Sequence, residues 1–242
     1  MILSFKNVSY TYHTKDGETL ALADINFNIY EGQFVCIIGP SGCGKTTILS
    51  LAAGLLKPSG GTIERGNATF GYMLQKDALF PWRTVKQNIF LPLEVKGCNT
   101  RKKRDEALAL AYKYGLGDFL NSKPNSLSGG MRQRVALIRT LVANPNILLL
   151  DEPFSALDYQ TRLSVCDDVH AIIKGEGKTA LLVTHDISEA IALSDKVIVL
   201  SFRPAKVIAE HAITFGDGDP KLKRTDTQFA KTFELLRAQL GL

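Results

Sequence analysis

The sequence predicts an α/β domain built on a mainly parallel sheet, with antiparallel strands ahead of it and a helical segment inserted in its middle. Three observations carry this. Short continuous apolar runs recur at Phe34–Ile38, Ile147–Leu150, Ala180–Val183 and Val197–Leu200, separated by helix-forming stretches; that is how buried parallel strands are spelled. The first 30 residues instead alternate apolar and polar side chains, as half-buried strands do. From Asp77 to Leu141 the pattern is helical.

Taken in order, Ile2–Val8 and Ala23–Ile29 are the alternating strands, with a turn expected at Lys15-Asp16-Gly17. Phe34–Ile38 is a buried strand that runs into Gly39. A helix is expected from Lys45 to Leu55, with Gly54, Lys57-Pro58 and Gly60-Gly61 as its stop signals. The helical insert is punctuated at Asn99-Thr100, Gly115/Gly117 and Pro124-Asn125, and its charge run Arg101–Arg104 suits a solvated helix face. The strands Ile147–Leu150 and Ala180–Val183 end in polar residues, Asp151 and Thr184-His185. In a parallel sheet, ligands collect at such carboxyl ends. Phe229, Phe233, Leu236 and Leu240 mark a last amphipathic helix, expected to dock on the body. The chain is expected to be one domain over residues 1–242. Residues 1–76 and 142–242 would form its core, and 77–141 a helical subdomain.

Bulk properties narrow the class. A chain of 242 residues with near-zero mean hydropathy can bury a sizeable core and is not disordered. The net charge of +5 suits phosphate ligands or an anionic membrane face without establishing either. Four cysteines, Cys36, Cys43, Cys98 and Cys166, form no CxxC pair, so reduced thiols are expected rather than a zinc site. No signal peptide is evident at the amino terminus, and no apolar stretch reaches the roughly 18 residues a membrane helix needs.

Gly39-Pro40-Ser41-Gly42-Cys43-Gly44-Lys45-Thr46 matches G-x-x-x-x-G-K-[ST] in full, between a predicted strand and a predicted helix. Glycines let successive backbone N–H groups face one anion, and the helix that follows adds its positive end. Lys45 can reach the outer phosphates, and the Thr46 hydroxyl can ligate Mg²⁺. Because a helix N-terminus lowers thiol pKa, Cys43 is expected to be open to thiol reagents. Asp151-Glu152 emerge from a strand tip, where one carboxylate can hold Mg²⁺ and the next can orient and polarise the attacking water; Asp151 is assigned the metal and Glu152 the water. His185, at the end of another strand, is placed to reach the γ-phosphate.

A further segment, Leu127-Ser128-Gly129-Gly130-Met131-Arg132-Gln133, offers a hydroxyl and N–H groups at a helix start, a second anion cradle. This segment resembles the LSGGQ signature of the ABC (ATP-binding cassette) transporter ATPases, with Met131 replacing the usual Gln. The resemblance covers nearly the whole chain. It implies a phosphate-loop NTPase with a RecA-like core, hydrolysing ATP with Mg²⁺. It implies a head-to-tail pair of copies, each ATP lying between one Lys45 loop and the partner copy's signature segment. By the same resemblance Ser155-Ala156-Leu157-Asp158 is the D-loop. Gln75 is the Q-loop glutamine, touching Mg²⁺ or water, and Tyr12 stacks on adenine, with Tyr10 as the alternative. The expected nucleotide-binding set is Tyr12, residues Gly39 to Thr47 of the loop and Ser128, Gly129 and Gly130. Thr46, Gln75 and Asp151 are the expected metal ligands, and Lys45, Gln75, Glu152 and His185 the catalytic residues.

Phe80-Pro81-Trp82-Arg83-Thr84-Val85 and Leu200-Ser201-Phe202-Arg203-Pro204 resemble the nitrate/sulfonate/taurine importer branch. That branch implies separate transmembrane permease subunits, an indirect substrate-binding protein, no nucleic acid, and a peripheral place on the cytoplasmic face of the cell membrane. Trp82 either packs within the helical subdomain or walls the groove for the permease. Two rival classes stand beside this reading. A soluble ATPase of the same family acting on nucleic acid or ribosomes would be expected to carry two cassettes or long coiled coils. A small-molecule kinase would leave residues 127–133 unexplained.

Overall fold

The computed structural model describes residues 1–15 and 17–242. Strands β1 (Leu3–Thr14), β2 (Gly17–Ile29) and β4 (Gly60–Glu64) form an antiparallel sheet in the order β2-β1-β4. Six strands form the second sheet: β5 (Phe70–Met73), β6 (Ile147–Asp151), β7 (Thr179–Thr184), β3 (Phe34–Ile38), β8 (Lys196–Leu200) and β9 (Val207–Ala212), in that spatial order. Every neighbouring pair in it is parallel except β8 with β9. This is the mainly parallel α/β frame with an antiparallel sheet ahead of it that the pattern predicts.

The apolar runs become strands because both of their faces are covered. Phe34, Cys36, Ile38, Leu148, Leu150, Ala180 and Leu182 point into one core, with helices α4 (Gly129–Val142), α5 (Tyr159–Gly175) and α6 (Ile187–Leu193). Val35, Ile37, Ile147, Leu149, Leu181 and Val183 point into the other, against α1 (Lys45–Ala52) and the antiparallel sheet. Each of the Val, Leu, Ile and Phe side chains among them contributes about 1.5–3 kcal/mol of burial, so a one-residue slip in register would exchange the two faces at great cost. The register pairs Ile38 with Thr184 and Asp151 with Val183. Gly39, Glu152 and His185 therefore leave the sheet at one edge.

Between β5 and β6 the chain forms α2 (Val85–Val95), α3 (Arg101–Lys113) and α4. Thr84 starts α2 with a reciprocal capping box to Gln87, and Ser128 caps α4 by accepting the Met131 amide. After β9 come α7 (Pro220–Thr225) and α8 (Thr227–Gln239). Leu236 and Leu240 are buried and Phe229 and Phe233 pack half-buried on the core, so the tail helix docks as its spacing predicts. In α7, Lys223 is buried and donates to Ser194 O at 2.6 Å; burial lowers its pKa to about 8.

Several boundaries differ from the expectation. β1 and β2 run past Val8 and begin before Ala23, and the expected turn at Lys15-Asp16-Gly17 includes Asp16, which lies outside the described residues. Helix α1 ends at Ala52 rather than Leu55. Gly60-Gly61 is no helix stop but the start of β4. At Gly61 φ is +77°, and an added Cβ would lie 2.2 Å from Asn7 O, so the close pass of β4 over β1 requires glycine there. The strands β4, β5 and β9 were not expected, because none is a continuous buried run: β4 alternates weakly and β9 is a half-exposed edge.

Candidate active site

The loop from Gly39 to Gly44 curls between β3 and α1. Gly44, the residue before α1, has φ +119°, and a Cβ there would meet Leu22 Cδ2 at 2.8 Å. Glycine at this point lets the helix N-terminus turn its N–H groups toward the loop. Lys45 Nζ donates to Gly39 O at 2.9 Å and to Pro40 O at 3.1 Å, and lies 4.0 Å from Glu152 Oε1. A cavity of about 340 Å³ opens over the loop, lined by Tyr12, Ser41, Lys45, Thr47, Glu152 and Arg203 among others. Thr46 Oγ1 donates to Asp151 Oδ1 at 3.0 Å.

Asp151 ends β6, mostly buried. Burial pushes its carboxyl pKa upward, and neighbouring Glu152 adds to the rise, against the hydrogen bonds from Thr46 and Tyr72. Tyr72 OH donates to Asp151 Oδ2 at 3.2 Å. Among the described residues, no group of three or more His, Cys, Asp or Glu side chains is arranged to hold a metal. The oxygen pair of Thr46 and Asp151 nevertheless suits Mg²⁺, which takes few protein ligands and completes its shell from phosphate and water.

Glu152 sits at φ +43°, an uncommon conformation for a side chain of its kind, fixed by its amide donating to Val183 O at 3.0 Å. Such strain costs of order 1–3 kcal/mol and gathers at functional positions. It aims the carboxylate at the cavity: Oε2 accepts from His185 Nδ1 at 3.0 Å. The His185 turn is itself locked. Thr184 Oγ1 donates to Glu189 Oε2 at 2.6 Å and accepts the Asp186 amide at 3.1 Å. Burial, reinforced by Asp186, raises the Glu189 pKa to about 7.

The structure thus brings together the loop from Gly39 to Thr47 with Asp151, Glu152 and His185. Tyr12 joins them at the cavity wall, its hydroxyl 2.9 Å from Thr47 Oγ1 and its ring edge-on to Tyr10 with centroids 4.8 Å apart. Gln75 is exposed and reaches the site only in relay: Nε2 donates to Ser155 Oγ at 3.4 Å, and Ser155 Oγ donates to Glu152 O at 3.0 Å. Ser128, Gly129 and Gly130 are not brought to the cavity. They begin α4, where Gly129 lies against Leu157 and Gly130 against Val165. The thiol of Cys43 departs from the expectation. It is 1% exposed, and burial, outweighing Lys45, raises its pKa, so the helix N-terminus does not make it an open nucleophile. Tyr72 and Arg203 were not foreseen as site residues. An aromatic shortly before Gln75 is the sole sequence cue to the first, and Arg203 arrives from the β8–β9 turn, which no local pattern connects to the loop.

A parallel sheet with this loop at one strand end and an acidic pair at another defines a phosphate-loop nucleoside triphosphatase. The sequence profile described as "ABC transporter" matches residues 22–155, more than half of the chain. An uncharacterized ABC transporter ATP-binding protein, YtlC of Bacillus subtilis, is 46% identical over 212 residues, covering 85% of this chain and 82% of its own length. The nitrate import ATP-binding protein NrtD of Synechocystis is 39% identical over 233 residues, covering 93% and 88%. The taurine import ATP-binding protein TauB of Yersinia pestis is 39% identical over 235 residues, covering 92% of each. The cassette MJ0796, solved as a dimer in a post-hydrolysis state bound to ADP and Pi, superposes with a TM-score of 0.71 at 35% identity, covering 88% of this chain and 99% of its own. The chain belongs to the ABC transporter family and is one of its ATP-hydrolysing cassettes.

Proposed function

We propose that this cassette powers an importer of a small anion such as nitrate, a sulfonate or taurine. The nitrate and taurine relatives support the substrate class, as do the segments 80–85 and 200–204 that resemble their branch. The hydrolytic part of the proposal rests on one observation, the convergence of Lys45, Thr46 and Glu152 on a single cavity with Asp151 at its edge.

In this reading Tyr12 carries the adenine, the N–H groups of residues 39–47 hold the phosphates, and Lys45 leaves its carbonyl partners for the outer phosphates. Thr46 and Asp151 hold Mg²⁺, with Gln75 drawn in from its Ser155 contact. When bound, Mg²⁺ supplies charge neutralisation along the phosphates. Glu152 orients a water in line with the γ-phosphorus and takes its proton on the carboxylate. His185, held by Glu152, adds a donor toward the transferred group. Ser128, Gly129 and Gly130, of which Ser128 is exposed at the start of α4, serve the nucleotide of a second copy, paired head-to-tail, since nothing in their own chain brings them to the cavity.

The division into a core of residues 1–76 and 142–242 and a helical subdomain of 77–141 belongs to the same proposal. A groove of about 300 Å³ between β5 and the helices α2 and α4, lined by Tyr72, Pro92, Val95 and Arg139 among others, is where a permease would dock. Trp82, 68% exposed and stacked on Phe80 at 5.0 Å, is not among the residues lining that groove. No described helix is long and apolar enough to cross a membrane. By its likeness to the import ATP-binding proteins, the cassette would sit at the cytoplasmic face through separate permease subunits, fed by a substrate-binding protein and without nucleic acid.

The test is purification of a tagged chain from gently solubilised native membranes, with mass spectrometry of its companions. A stoichiometric polytopic membrane protein, whose vesicles show ATPase stimulated by nitrate, a sulfonate or taurine with the matching binding protein, is the expected result. Recovery with ribosomal proteins or nucleic acid, and no membrane partner, would contradict the importer reading.

A further inference from the structure

A second cation lines the phosphate cavity, and no motif gives it a part. Strand β8 ends at Leu200 against the phosphate loop: a Cβ added at Gly39 would lie 3.0 Å from Leu200 Cβ. The chain then turns through residues 201–205, and the turn is fastened at both ends. Ser201 N donates to Lys206 O at 3.0 Å, and Ser201 Oγ accepts the Lys206 amide at 3.0 Å. Ala205 N donates to Ala21 O and Ala205 O accepts from Ala23 N, both at 2.9 Å. So held, Arg203 lies over the loop with Nη2 donating to Gly42 O at 3.0 Å.

The rest of the guanidinium is uncommitted. Among the described residues no carboxylate pairs with Arg203, and its Nε and Nη1 donate to none of them. The charged side chains lining the cavity are Lys45, Arg203 and Glu152. Their balance is one positive charge with Arg203 and zero without it. Among the lining side chains, the excess of positive charge that a polyphosphate entering beside Glu152 meets therefore comes from this residue, added to the loop N–H groups and the start of α1. A guanidinium is charged at every working pH, so Arg203 offers phosphate oxygens a permanent positive charge. The turn holds it on the carbonyl of a loop glycine, at the cavity that Tyr12 also lines.

We propose that Arg203 is a nucleotide-binding residue, a cation held in place by the Gly42 carbonyl that contacts the polyphosphate of ATP. The proposal rests on the cavity being the ATP site. It differs from a role in bracing the loop, which needs only an N–H donor for Gly42 O.

Three variants separate the two: Arg203→Ala, Arg203→Gln and Arg203→Lys. Binding of a fluorescent ATP analogue is titrated at about 50 mM and about 500 mM salt, with Lys45→Ala as the control and thermal melts to verify folding. Arg203 is exposed, so unchanged melts are expected. Arg203→Ala and Arg203→Gln should weaken ATP about tenfold at low salt, the worth of one charge-assisted contact. Arg203→Lys should stay within about threefold of wild type, and the deficit of Arg203→Gln should shrink at high salt as the charge is screened. Wild-type affinity in Arg203→Gln, or a Lys variant as weak as the Gln variant, overturns the proposal. If Lys45→Ala also binds ATP normally, the assignment of the cavity has failed instead.

Discussion

Replacing Glu152 by Gln removes a charge and little else. The glutamine keeps the backbone at φ +43° and the amide bond to Val183 O. Its side-chain oxygen can still accept from His185, now 3.0 Å from the carboxylate. The Lys45 ammonium loses an acidic neighbour at 4.0 Å, which leaves it freer for phosphate. Folding stability should change little, because the substitution keeps the shape of the side chain and its contacts, although that side chain is only 21% exposed. Loss of a positioned general base costs about 10²–10⁴ in rate, or roughly 3–5 kcal/mol of barrier at 1.36 kcal/mol per tenfold. Glu152→Gln should therefore bind ATP as tightly as wild type or slightly tighter, and release phosphate at least about a hundredfold more slowly. The assay is single-turnover phosphate release paired with an ATP titration. Turnover within threefold of wild type would refute the role of Glu152 as base, whatever the binding data show.

Glu189→Gln tests the lock beneath His185. The Glu189 pKa is raised to about 7, so its ionisation is unfavourable in the folded state. The stability it lends is complete below the ordinary carboxylate pKa and is lost as pH rises through about 7. The Gln variant should melt higher than wild type at pH 8, by up to about 3 kcal/mol of stability, with the gap closing toward pH 5; an equal gap at both values would contradict it. Gly61→Ala forces a Cβ to within 2.2 Å of Asn7 O at φ +77°. A loss of about 3 kcal/mol, a fall of roughly 6–12 °C in Tm for a chain of this size, is expected by calorimetry. Alkylation followed by mass spectrometry should label partly exposed Cys98 well before buried Cys43, and the reverse order would contradict the raised Cys43 thiol.

The parts of the fold legible in sequence are those whose signal is local. The runs FVCII, ILLL and ALLV are covered on both faces, so burial alone spells them. The residues that follow them, Gly39, Asp151 and His185, land together at the carboxyl ends of adjacent strands because those strands are parallel. What sequence concealed depends on distant partners. β4 is a strand because Ser4, Phe5 and Lys6 pair with it, not because Gly60-Gly61-Thr-Ile-Glu reads as one. Cys43 has a helix N-terminus behind it, but the packing that buries it comes from elsewhere in the chain. Arg203 reaches Gly42 across a separation of 161 residues, carried by a turn whose anchor is β2. Gln75 shows the converse: its motif was visible, but its amide lies on Ser155 and not on Asp151 or Thr46.

The central claim is that each ATP lies between the Lys45 loop of one copy and the Ser128 segment of another. Two inactive variants test it directly. Lys45→Ala removes the phosphate cation, and Ser128→Arg fills the exposed helix start with a bulky side chain. In a mixed pair, one site then carries both defects and the other carries neither. ATPase activity should be near zero for each variant alone and should reappear on mixing, up to about a quarter of wild type if half the pairs are mixed and one intact site suffices. Mixing that restores nothing, while both variants remain folded and still form pairs, would contradict a site shared between copies.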